Sequence, residues 1–246
     1  MENPYGMAAL WLQGDWVTRS IAGLLALMSI ITWTVLAFKA RQFWHVRRYA
    51  QRVQTEFWHS RNLEAALQTL QGTANQNPFR ALALEGQEAS AHHAQASDDL
   101  HGALNLSDWL QSCLKRGMEE ASARLQSGLS VLASIGSTAP FVGLFGTVWG
   151  IYHALVQIGV SGQAGLDKVA GPVGEALIMT ACGLGVAIPA VLGYNALTRT
   201  HKACMTQLAR FAHDLHAYWV TGARVGSSQT TSPTTPATQV QVGHSA

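Results

Sequence analysis

Three long stretches without acidic or basic residues constrain the fold of this chain more than any other feature. They run from Ser20 to Phe38, from Leu125 to Leu166 and from Ala176 to Thr198, and His153 is the only histidine within them. Each is longer than the roughly 18 apolar residues that indicate a membrane-spanning helix. Charged residues make up 12% of the whole chain, against about 25% in soluble domains. We therefore predict an all-α integral membrane protein with three transmembrane helices.

Basic residues set the predicted orientation. Residues 1–15 contain no lysine or arginine, whereas a basic cluster follows the first apolar stretch directly. Its members are Lys39, Arg41, Arg47, Arg48 and Arg52. Because positive charge is retained on the cytoplasmic side, the N-terminus is expected outside and the C-terminus inside. The same cluster is expected to contact anionic phospholipid.

Apolar residues at helical spacing predict that spans two and three continue as long cytoplasmic helices. Spacings of three and four from Leu110 to Leu132 predict one helix running without a break into span two, and Leu208 to Tyr218 extend span three. Shorter helices are predicted over Leu63–Leu70 and Phe79–Ala91. The predicted segments are a periplasmic N-terminus (1–15), transmembrane helix 1 (16–38), a cytoplasmic helical domain (39–127), transmembrane helix 2 (128–158), a short periplasmic loop (159–169), transmembrane helix 3 (170–198), a cytoplasmic helix (199–225) and a disordered tail (226–246).

Glu175 is the first candidate for a functional residue. It is the only charged side chain between Lys168 and Arg199, and a charge at the bilayer centre costs at least about 2.5–3.5 kcal/mol. Such a residue is expected to take up and release protons, with no cofactor required. Thr147 and Thr180 are the polar residues placed with it, although a threonine in a span often only bonds a carbonyl of its own helix.

Small residues crowd the second and third spans. They are Gly143, Gly146 and Gly150 in one span and Ala181, Gly185 and Gly193 in the other. Such rows let helix backbones approach closely in lipid. The contact could lie within one chain or between the subunits of a ring, and the ring is favoured because three helices cannot enclose a pore. Pro140 and Pro189 are expected to kink their helices.

Alternative functions have weaker support. The segment Gly159–Gly162 matches the GxSG motif of an intramembrane serine protease, but its only base within a span would be His153. A passive scaffold would need Glu175 to pair with a cation, and Arg19 is the only candidate in the spans. His213 and His216 are too few for a metal site. The cysteines, Cys113, Cys182 and Cys204, show no CxxC spacing and predict no disulfides. A net charge of +2 does not indicate nucleic-acid binding.

Two motifs resemble a known family. The segment Ser134–Ile151 resembles the second span of ExbB proteins, and Gly171–Leu177 and Gly183–Asn195 resemble their third span. ExbB, TolQ and, more distantly, MotA form the proton-driven motors of bacterial inner membranes. The resemblance implies a homopentamer around helices of ExbD, in which proton flow drives TonB and thereby the import of iron-siderophores and cobalamin. It also implies that residues at the positions of Glu175, Thr147 and Thr180 face the pore. A TolQ-like subunit of the Tol-Pal motor is the alternative.

Overall fold

Helices account for nearly all of the chain that the computed structural model describes, which comprises residues 15–60, 62–95, 105–161 and 166–222. In these ranges the α-helices are α1 (Trp16–Thr55), α2 (Leu63–Thr69), α3 (Pro78–Gln95), α4 (Leu106–Gln126), α5 (Leu129–Ser161) and α6 (Leu166–Thr221), with a 3-10 turn over Phe57–His59. Three helical segments, built on α1, α5 and α6, are long and apolar enough to cross a membrane. The predictions of an all-helical chain and of three such helices are confirmed.

The predicted N-terminal segment, 1–15, lies almost entirely outside the described residues, as does the tail, 226–246. Most side chains of the predicted loop, 159–169, are also outside them. The boundaries of these segments therefore stay predictions.

Helix α1 continues well past its apolar part, although the sequence indicated long extensions only for spans two and three. It contains 40 residues, about 60 Å at 1.5 Å per residue, against a hydrocarbon core of about 30 Å. After Phe38 the buried positions Phe43, Val46, Ala50 and Val53 recur at helical spacing. These side chains pack in one core with α4 and α6. The extension is helical because this stripe has an apolar surface to cover.

The expectation of one unbroken helix from Leu110 into span two is wrong. Helix α4 ends at Gln126, and α5 begins at Leu129. Between them Gly128 has a φ of +80°, in the left-handed region that favours glycine. The apolar spacing did predict the buried face correctly, since Leu110, Leu125 and Leu132 are all buried. Periodicity reports which face is covered and does not detect a two-residue interruption.

Lys39 lies at this interruption, although the sequence led us to expect it in contact with anionic phospholipid. Its side chain is only 3% exposed. The ammonium group donates to the carbonyl oxygens of Arg124 at 3.3 Å and Leu125 at 3.2 Å, to Gln42 Oε1 at 2.8 Å and to Ser127 Oγ at 3.3 Å. A cation at the end of a helix satisfies carbonyls that have no partner within the helix and interacts favourably with the helix dipole. Lys39 therefore joins α1 to the α4–α5 junction.

The core outside the apolar spans is built around aromatic residues of three elements. The ring of Phe211 in α6 lies edge-on to Phe57 at 5.2 Å and to Phe79 at 5.5 Å between centroids. The predicted short helices are confirmed as α2 and α3. Asn77, fully buried at the turn before α3, accepts from the Phe79 backbone N–H at 3.1 Å. The predicted stripe on α6 departs from the structure at its last member, since Tyr218 is exposed.

Candidate functional site

Helices α5 and α6 are in backbone contact where Gly143 meets Gly183. A Cβ atom built on Gly143 would lie 2.7 Å from the Met179 carbonyl oxygen, and one on Gly183 would lie 2.7 Å from the Ala139 carbonyl oxygen. Real Cβ atoms essentially never approach other atoms to less than 3.0 Å. Both positions therefore require glycine if the helices are to keep this separation.

Two further glycines fix the register of this antiparallel pair. A Cβ on Gly146 would lie 3.0 Å from Met179 Cβ, and one on Gly150 would lie 3.1 Å from Ala176 Cβ. Gly150 is thus level with Ala176, and Gly143 is level with Thr180, whose Cα would lie 3.2 Å from a Cβ on Gly143. The part of α5 from Gly143 to Gly150 rises by only about 10 Å.

This packing brings Glu175, Thr147 and Thr180 into one band of the helix pair. Glu175 and Thr180 are partly exposed in the single chain, whereas Thr147 is 6% exposed. Thr147 Oγ1 donates to the Leu144 carbonyl oxygen at 2.7 Å, a bond within its own helix. In the single chain Thr147 therefore does what threonines in spans often do, which is to bond a carbonyl of their own helix.

Glu175 forms no hydrogen bond or ion pair with any side chain in the described ranges. Pairing with Arg19, the one cation within the spans that the passive-scaffold alternative could use, is therefore not observed; a cation from a partner protein was the other option of that alternative. A carboxylate on an apolar helix is expensive to keep charged without a counter-charge, and proton uptake removes that cost. The register of α5 and α6 therefore places Glu175 within about two helical turns of Thr180 and Thr147 along the helix pair.

The other small residues of span three have different surroundings. Ala181 and Gly185 are exposed, and a Cβ on Gly185 would meet nothing within 4 Å. Gly193 instead lies against the Leu36 side chain of α1. Pro140 and Pro189 lie within helices that continue on both sides of them, so bending at either residue stays a prediction.

Gly183 was not among the residues singled out from the sequence, yet it packs directly against the backbone of span two. The small residues that the sequence predicted for this contact, Ala181 and Gly185, are four residues apart. Within span three, four buried small residues follow one another at spacings of seven, four and three residues. They are Ala176, Gly183, Ala187 and Ala190. Because both rows contain small residues, spacing alone could not distinguish them.

His153 is engaged in an ion pair that the sequence did not predict. Its Nε2 atom lies 3.1 Å from Asp15 Oδ2, which links the beginning of α1 to the last part of α5. The side chain of Ser161, the proposed protease nucleophile, lies outside those described. His216, one of the two histidines considered for a metal site, has Nε2 3.1 Å from Ser107 Oγ.

The chain is similar to proteins of one family over most of its length. Residues 74–210 match the model of the MotA/TolQ/ExbB proton channel family. A biopolymer transport protein ExbB from Xanthomonas campestris is 44% identical over 197 residues, covering 78% of this chain and 77% of the relative. The ExbB of Neisseria meningitidis is 41% identical, with coverages of 82% and 92%. The ExbB of Salmonella typhimurium is 31% identical, with 85% of each chain covered.

Proposed function

Because this chain belongs to the MotA/TolQ/ExbB proton channel family, we propose that it is the channel subunit of an ExbB–ExbD–TonB system. In this role it would couple the proton motive force across the bacterial inner membrane to TonB and so power the import of iron-siderophores and cobalamin. The observation that carries the proposal is the position of Glu175, a carboxylate on an apolar helix that has no partner among the described residues. The protein is a multi-pass membrane protein of a channel family, and we propose no enzymatic activity.

The proposed assembly is a homopentamer surrounding helices of ExbD. Support comes from the surfaces that the single chain leaves uncovered, namely Ala181 and Gly185 on α6 and a large apolar face on α5. That face includes Phe141, Leu144, Phe145, Val148, Tyr152 and Leu155. Small residues on one helix and bulky residues on another suit helix–helix contact in lipid. The N-out, C-in orientation follows from the basic cluster that begins after Phe38.

In the proposed mechanism Glu175 holds a proton or shapes the field in the pore, while the main proton-binding carboxylate belongs to ExbD. Thr180 lies beside the Gly143 contact, so close packing of α5 and α6 fixes its height relative to Glu175. Protonation changes the charge that faces the central helices and thereby their pairing with the ring. Hydrophobic packing around Ala176 and Met179, which are both buried, keeps this geometry fixed while the charge changes.

A TolQ-like role is the second candidate. The relatives described above carry the name ExbB and share up to 44% identity with this chain, which favours the ExbB role. Co-purification separates the two candidates. An ExbB subunit retains ExbD, whereas a TolQ-like subunit retains TolR.

Glu175→Gln tests the proposal, with Glu120→Gln as the matched control. Glu120 is 59% exposed on α4 and pairs with Arg124 at 3.6 Å, so its loss removes a carboxylate away from the spans. We expect Glu175→Gln to abolish siderophore-dependent growth under iron limitation, with normal membrane levels and normal ExbD co-purification. Glu120→Gln should grow normally. Normal growth of both Glu175→Gln and Glu175→Ala would contradict a role of this carboxylate in energy coupling.

A further inference from the structure

A cleft of about 490 Å³ lies beside the basic end of α1. One wall is a face of α1 that carries Arg41, Gln42, His45 and Tyr49, and the other is the turn before α3 at Asn75 and Gln76. Arg41, His45 and Tyr49 follow one another at intervals of four residues and Gln42 precedes His45 by three, so these side chains lie along one side of the helix. None of the described residues that line the cleft is acidic. The cleft therefore has a net positive lining.

Two of the amide side chains that line the cleft, those of Gln42 and Asn75, have their acceptor oxygens already occupied. Gln42 Oε1 accepts from Lys39 Nζ at 2.8 Å, and Asn75 Oδ1 accepts from Arg124 Nη1 at 3.0 Å. Each amide therefore keeps its NH2 group for another acceptor. Together with the Arg41 guanidinium these groups form a set of donors. Such a set favours an anion with several oxygen atoms, and arginine binds phosphate in particular through paired hydrogen bonds.

The cleft begins where the apolar part of α1 ends. Phe38, which is 67% exposed, also lines it. Arg41 follows one helical turn later, a rise of about 4.5 Å. The headgroup region on each side of the hydrocarbon core is about 5–8 Å thick, so an apolar span that ends at Phe38 would place Arg41 at the depth of lipid phosphates. An acyl chain of the same lipid can lie along Phe38.

We propose that this cleft binds the phosphate group of an anionic phospholipid. Arg41 would provide the charge, and Gln42 and Asn75 would provide amide donors. Lys39 and Arg124 orient these amides, which connects the lipid site to the α4–α5 junction that Lys39 also holds. The proposal goes beyond general attraction of the basic cluster to a charged membrane, because it needs the uncharged residue Asn75.

The test uses the full chain purified in a neutral detergent and titrated with phosphatidylglycerol, with bound lipids counted by native mass spectrometry. Arg41→Gln should weaken binding about tenfold, the scale of a charge-assisted hydrogen bond. Asn75→Ala, which leaves the charge unchanged, should weaken it about fivefold. Arg48→Gln is the matched control, because Arg48 lies outside the cleft, 3.4 Å above the Trp44 ring. Its affinity should stay within about twofold of the parent, since a neutral micelle has no charged surface.

Three outcomes would overturn the proposal. Equal losses for Arg41→Gln and Arg48→Gln, with none for Asn75→Ala, would show attraction to the basic cluster as a whole. Equal binding of phosphatidylcholine would contradict selectivity for an anionic lipid. Displacement of the lipid by millimolar inorganic phosphate would identify the cleft as a site for a soluble anion. The experiment requires neither ExbD nor a proton gradient, so its failure would leave the proposed channel function unaffected.

Discussion

Gly183→Ala should separate α5 from α6, whereas the same substitution at an open position should not. Gly183 packs against the Ala139 carbonyl oxygen, with 2.7 Å available to a new Cβ atom. Gly23, in the apolar part of α1, would have nothing within 4 Å of its Cβ and is the matched control. Both substitutions add one methyl group to a helix, so the change in helix propensity is shared between them.

The magnitude follows from the distance. Ordinary contact begins at about 3.4 Å, so the helices must move apart by roughly 0.7 Å at this layer. A gap of about 0.5–1 Å removes a quarter to a half of the dispersion energy of each affected contact. The same movement also weakens the neighbouring contacts between the two helices, Gly146 with Met179 and Gly150 with Ala176. Overpacking of this kind costs about 1–3 kcal/mol, and we expect Gly183→Ala to be less stable than Gly23→Ala by this amount.

Equilibrium unfolding in mixed micelles, with increasing fractions of dodecyl sulfate and detection by tryptophan fluorescence, measures the difference. Protein concentration must be equal, because self-association makes apparent stability depend on it. Siderophore-dependent growth provides a second measurement, since a shift of α6 moves Thr180 relative to Glu175. Equal stability of Gly183→Ala and Gly23→Ala would refute the reasoning, because it would show that the helix pair accommodates a methyl group where its two backbones are in contact.

Three further predictions concern Lys39, His153 and Cys113. Lys39→Met should lower the free energy of unfolding by about 1–3 kcal/mol, since it removes the Lys39 donor from the buried Leu125 carbonyl oxygen at the α4–α5 junction; a loss below about 0.5 kcal/mol in the same unfolding assay would contradict this. His153→Gln should change the free energy of unfolding by less than about 1 kcal/mol, because its pair with Asp15 is about two-fifths exposed, and a larger loss would show that the pair is more than a surface contact. Burial raises the pKa of the Cys113 thiol, which reduces the thiolate fraction at neutral pH. In a variant that keeps only this cysteine, maleimide labelling at pH 7.5 should be much slower in the native protein than after unfolding, and equal rates would show that the thiol is accessible.

The apolar stretches determined the number and placement of the spans without any tertiary information. The cost of placing charge or unsatisfied backbone in hydrocarbon is so large that a stretch such as Ser20 to Phe38 admits few structures besides a helix. The same cost made Glu175 conspicuous. Its surroundings were predictable only in part. Spacing identified Gly143, Gly146 and Gly150, yet it gave no means of pairing them with Gly183 or with Ala176.

The sequence by itself thus determined which segments are helical and apolar, because that depends on the local balance between side chains and lipid. Only the tertiary structure decided which face of α6 meets α5, where the second long helix is interrupted at Gly128, and that Lys39 is buried there. These features depend on atoms brought together from distant parts of the chain: the ammonium of Lys39 meets the carbonyls of Arg124 and Leu125 across α1 and α4. A lysine beside an apolar stretch has the same local sequence whether it faces lipid headgroups or the end of another helix, and only packing distinguishes the two.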